Sequence, residues 1–79
     1  MSKSVYYLSH SITKIGDGLF GLEHIRWGRQ IWCEAKMRKE HQCVITGATI
    51  RKGDYAYRPI TNAGNRYERI SKAFFEASG

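Results

Sequence analysis

Proline occurs once and cysteine twice in these 79 residues, and acids number seven against thirteen lysines and arginines. The lone Pro59, beside a hydrophobic fraction of 42%, excludes the composition of a disordered chain. Two cysteines, Cys33 and Cys43, are too few for a secreted disulfide scaffold. A single bridge between them would close a short loop, and two free thiols in a reducing compartment are the favoured expectation. No apolar run reaches the length of a membrane span. The first residues do not read as a secretory signal, because Val5-Tyr6-Tyr7-Leu8 breaks at Ser9-His10-Ser11. A cytoplasmic location is therefore expected.

What is plentiful is aromatic and basic. Five Tyr, three Phe and two Trp give a short chain the large apolar surfaces that a small core needs. The chain has the length of a single domain, residues 1–79. Its formal net charge is +6. Residues 26–72 hold eleven Lys or Arg against four acids, Glu34, Glu40, Asp54 and Glu68. That surface suits phosphates or an acidic protein face, and it speeds encounter with either. The same charge also serves solubility.

The fold class expected is α+β, a small antiparallel sheet of hairpins with a C-terminal helix over about 65–77. Residues 4–15 alternate as a strand and residues 19–27 as its partner, joined by Gly16-Asp17-Gly18, where both glycines can take positive φ. Residues 29–41 fit a strand by alternation and a helix by propensity, with strand favoured for part of the stretch. Residues 43–57 read as two hairpin turns, at 46–49 and 51–54, with Pro59 ending the last strand. Asn65 followed by Glu68 resembles a capping box. It would open a helix with Tyr67, Ile70, Phe74 and Ala77 on one face and Arg66, Arg69 and Lys72 on another.

One segment carries a resemblance. Residues 38–57 include Cys43-Val44-Ile45-Thr46-Gly47, then Ile50, the Lys52-Gly53 turn and Tyr55. This resembles the knuckle of small treble-clef or zinc-ribbon-like modules common among short bacteriophage proteins, in which the pattern is Cys-x-x-Cys-Gly. Thr46 stands where the second cysteine would be. A structural zinc needs four Cys or His ligands, and residues 65–77 contain neither. His10, His24, His41 and Cys33 are too scattered to be an obvious set. The resemblance therefore implies a metal-free knuckle, with no cofactor, held by packing of Ile45, Ile50, Tyr55 and Tyr57. Cys43 is then a small buried apolar residue, and Thr46 and Thr49 take the hydrogen bonds of the turn.

Catalytic patterns are weak. His41 and Cys43 share a strand face without a third orienting group, and no phosphate-cradling Gly loop precedes a helix. A non-enzymatic role is expected. The candidate surface is basic with aromatics interleaved: Arg26, Trp27, Arg29, Arg38, Lys39, Arg51, Lys52, Arg58, Arg66, Arg69 and Lys72. Arg66 and Arg69, beside helix N-terminal amides, would hold an anion. The first functional class is a phage-type binding module engaging nucleic acid or a nucleoprotein complex. The alternative is an anti-CRISPR or other anti-defence inhibitor that blocks a bacterial host complex, with contacts centred on Trp27, Trp32, Tyr55, Tyr57 and Arg58. A homodimer joined along an edge near residues 19–25 is compatible with both.

Overall fold

The computed structural model describes residues 6–78, so the expected strand start at Ser4 and Val5 lies outside the described residues. Strand β1, Tyr7–Gly16, turns through Asp17 and Gly18 into β2, Leu19–His24. Gly18 alone supplies the positive φ of this turn, at 69°. Strand β2 ends at His24 rather than continuing to Trp27. His24 Nδ1 accepts the amide N–H of Arg26 at 2.9 Å and of Trp27 at 3.2 Å, which folds the chain back on itself. Strand β3, Gly28–Lys36, follows and settles the ambiguous stretch. Pairing with β2 on one side and β6 on the other holds the segment extended against its helix propensity; Gln30 and Trp32 point inward while Arg29 and Ile31 point outward.

The short strands β4, His41–Gln42, and β5, Thr49–Ile50, form a separate two-stranded hairpin. Strand β6, Tyr55–Pro59, returns to β3, and β7, Ile70–Ser71, adds the far edge. The order β1-β2-β3-β6-β7 makes one curled antiparallel sheet. The expected second hairpin across residues 51–54 is corrected here. The turn exists, but β5 pairs with β4 and β6 pairs with β3 and β7, so its two arms belong to different sheets. The turn instead docks on the link after β3, with Met37 N–H donating to Asp54 O at 2.8 Å and Gly53 N–H to Met37 O at 2.9 Å. The supposed dimer edge is also corrected: β2 lies between β1 and β3 and has no free edge.

The core is largely aromatic. Phe20, Leu22, Trp32, Tyr57, Ile70 and Phe75 are buried. Phe75 stacks on Phe20 at 4.7 Å and meets Tyr57 at 4.8 Å. Its carrier, helix α1, spans Lys72–Ser78, far shorter than expected. Asn65 is not a helix cap, and Arg66, Tyr67, Arg69 and Ile70 are not helical. Tertiary bonds claim the segment before a helix can form. Ile70 pairs with Tyr57 in the sheet, Arg69 O accepts Val44 N–H at 2.9 Å, and Asn65 is buried in a polar cluster. In that cluster Gln30 and Asn65 exchange side-chain hydrogen bonds at 3.0 and 2.8 Å. Asn65 Nδ2 also donates to Tyr7 Oη at 3.2 Å, and Tyr7 Oη donates to Glu68. Every bond here crosses from the strands to residues 65–68, pinning that loop over the sheet.

Candidate nucleic-acid interface

A cationic concavity is built on the stapled turn. The link after β3, the 51–54 turn, β6 and the approach to β7 enclose an open cleft of about 1240 Å³. Its cationic lining is Lys36, Arg38, Lys39, Lys52, Arg58 and Arg69, with His41 and Tyr67 alongside; among the described residues Glu40 is its one acid. Four of these cations have a structural reason for their place. Lys36 ends β3 opposite Tyr55, and Arg58 faces outward from β6 opposite Cys33. Lys52 rides on the turn whose Gly53 takes φ 93° and whose Arg51 N–H donates to Asp54 Oδ2 at 3.2 Å. Arg69 is fixed by Nη1 donating to Glu68 O at 2.9 Å and to Arg66 O at 3.1 Å. Its Nε is buried without a partner among the described residues.

The electrostatics are those of a site short of negative charge. Burial, then the charge of Arg58, lowers the Arg69 guanidinium from its ordinary value. Burial, then Arg69 and Lys39, lowers His41 below the usual imidazole range. An anion in the cleft would relieve the repulsion at both groups.

A second concavity of about 510 Å³ adjoins the first and shares His41, Tyr67 and Arg69 with it. The rest of its lining is the knuckle, from Gln42 to Gly47, with Glu68. The 43–48 turn is closed by hydrogen bonds. Gly47 N–H donates to Cys43 O at 2.8 Å, and Gly47 takes φ 79°. Thr46 N–H donates to Cys43 Sγ at 3.4 Å, and Thr46 Oγ1 accepts Ala48 N–H at 3.2 Å. Cys33 and Cys43 are free, and Cys43 is buried. Burial pushes the Cys43 thiol up, but hydrogen bonds from Ser71 and Thr46 outweigh it and leave the thiol below its ordinary value. Among the described residues no group of three or more His, Cys, Asp or Glu side chains is placed to hold a metal ion. Ile50 is buried, Tyr57 is buried against Phe20 and Phe75 in the main core, and Tyr55 is 55% exposed.

The predicted surface separates into distinct places. Arg38, Lys39, Lys52, Arg58 and Arg69 come together in the cleft, with Arg51 exposed on the same turn as Lys52. Arg66 lies over the Tyr67 ring at 4.7 Å. Since neither Arg66 nor Arg69 is helical, the expected helix-terminus anion site does not form. Arg26 and Trp27 occupy the β2–β3 turn, the guanidinium 4.8 Å above the indole, and Trp27 packs on Gly64. Arg29 covers Gly21, whose absent Cβ leaves room for the guanidinium. Lys72 is held by Glu34 at 2.9 Å and Glu76 at 3.7 Å. Trp32 and Tyr57 are core residues and cannot be partner contacts. Lys36, His41 and Tyr67 line the cleft although the sequence reading placed none of them there. Lys36 shares its alternating set with the buried Trp32, and Tyr67 keeps a helical spacing with Ile70 and Phe74, so neither position signals a cleft in the sequence.

Fold and cleft define a small antiparallel-sheet protein with a cationic groove beside a knuckle pocket. Comparison with protein families, with curated proteins and with solved structures finds no match for this chain. No helix among the described residues is long and apolar enough to cross a membrane.

Proposed function

We propose that this protein is a non-enzymatic nucleic-acid-binding module of the phage type, using the cationic cleft on the phosphate backbone. The observation that carries the reading is the convergence of Lys36, Arg38, Lys39, Lys52, Arg58 and Arg69 on one groove with only Glu40 opposing them among the described residues. Cations brought together from separate elements pay a repulsive cost, which phosphates would offset. Binding of this kind releases counterions and weakens steeply with salt. The test is fluorescence anisotropy of labelled oligonucleotides at low salt with Lys39→Glu and Lys52→Glu, two exposed positions. The reading expects tight binding lost in the double variant. Absence of binding at low salt, or an unaffected double variant, contradicts it.

A second reading has its own supporting observation. Tyr6, His24 and Trp27 form an aromatic cluster at the β2–β3 turn, with Arg26 over the indole and Ile25 63% exposed beside it. Aromatic and Arg groups of that kind suit a protein partner, as an anti-CRISPR or other anti-defence inhibitor would require. Capture of a host complex that survives Lys39→Glu and Lys52→Glu but fails with Trp27→Ala would favour it.

A further inference from the structure

We propose that the nucleic acid taken by this protein is single-stranded, its backbone in the cationic cleft and one unstacked base turned over Tyr67 into the knuckle pocket. The proposal rests on the nucleic-acid reading and specifies its ligand.

Two concavities of different chemistry share one wall. The cleft is cationic, while the adjoining pocket holds Val44, Ile45, Thr46 and Gln42 and has Arg69 as its one Lys or Arg side chain among the described residues. A phosphate seeks the first environment and a base the second. At about 510 Å³ the pocket falls within the range of small-molecule sites, ~300–1,000 Å³. The knuckle backbone keeps it open, because the turn is closed by its own hydrogen bonds. Gln42 offers a donor and an acceptor to a base edge.

Tyr67 is the divide. It lines both concavities and is 71% exposed, the most exposed of the large hydrophobic side chains among the described residues. Burial therefore does not explain an aromatic ring here. Arg66 lies over the ring at 4.7 Å and steadies it. Such a ring is a platform on which any base can stack. Arg69, also common to both concavities, stands where the phosphate joining cleft and pocket would pass.

A duplex cannot use this arrangement cheaply. Its bases are paired and stacked, and turning one out costs a few kcal/mol. A single strand reaches the pocket without that cost.

The experiment compares labelled oligothymidylate, oligouridylate and a mixed-sequence duplex of equal length by anisotropy at one low salt concentration. Wild type, Tyr67→Ala and Tyr67→Phe are measured, with circular dichroism confirming that each is folded. A single strand of either sugar is expected to bind at least about tenfold tighter than the duplex. Tyr67→Ala should lower single-strand affinity about tenfold or more, the size of one lost base stack; Tyr67→Phe should retain it, and duplex binding should not respond to either. If the duplex binds as tightly as both single strands, or Tyr67→Ala leaves single-strand affinity unchanged, the single-strand proposal is overturned while the nucleic-acid reading stands. If nothing binds at low salt, both fall.

Discussion

Asn65 and His24 are polar residues inside the protein, and their partners decide what they do. Asn65 has its amide satisfied by Gln30 and Tyr7. Asn65→Ala would strand the buried Gln30 amide and remove the tie between β3 and the 65–68 loop. A loss of about 2–3 kcal/mol in urea unfolding is expected, because unsatisfied buried polar groups bear their full desolvation cost. His24 gives stability a pH dependence. Burial holds its imidazole below the ordinary value of 6.5, with Arg26 assisting and Glu68 opposing. The neutral ring accepts two amide N–H groups, so protonation is disfavoured in the fold. Its contribution is complete above about 6.5 and is lost as pH falls from there through the lower folded-state value. Melting temperature should drop between about pH 7.5 and about pH 5, and His24→Asn should reduce that drop, leaving the share that belongs to His41, also held below the usual imidazole range. An equal drop in the variant would remove His24 from the account.

Among the elements, the stapled 51–54 turn matters most to the cleft. Gly53 holds φ 93° there, where a side chain is strained although the space is open. Gly53→Val should cost about 1–2 kcal/mol in unfolding and displace Lys52 from the cleft. The expected consequence is weakened oligonucleotide binding in a variant that still folds. This turn also marks how far the sequence could be read. Gly53 and the Lys-Gly pair announced the turn, but nothing local said that its arms would join separate sheets. Strand β3 was legible only in part: Ile31, Cys33 and Ala35 alternate with Trp32, Glu34 and Lys36, but the fold buries Trp32 and leaves Ile31 exposed. The C-terminal helix was legible, but its start was placed too early because Tyr67, Ile70 and Phe74 keep a helical spacing that the fold uses only from Lys72 onward. The decisive competitors lay far away in sequence: Tyr57 took Ile70, Val44 took the Arg69 carbonyl, and Gln30 took Asn65.

At the scale of the whole molecule, the basic excess of residues 26–72 becomes a place rather than a total. Folding sends Lys72 to Glu34 and leaves Arg26 and Arg29 at the β2–β3 end. Arg38, Lys39, Lys52, Arg58 and Arg69 gather from segments that no local pattern links. The knuckle likewise changes meaning: Thr46 and Cys43 close a turn with hydrogen bonds, and that turn shapes a pocket beside the cations. The measurement that tests this account most directly is oligonucleotide affinity as a function of salt, for wild type and for Lys39→Glu with Lys52→Glu. The account predicts a steep linear fall of log affinity with log salt, and a slope reduced by about 1.4–1.8 on removal of two phosphate contacts. Binding that ignores salt, or a slope unchanged by the two substitutions, would contradict it.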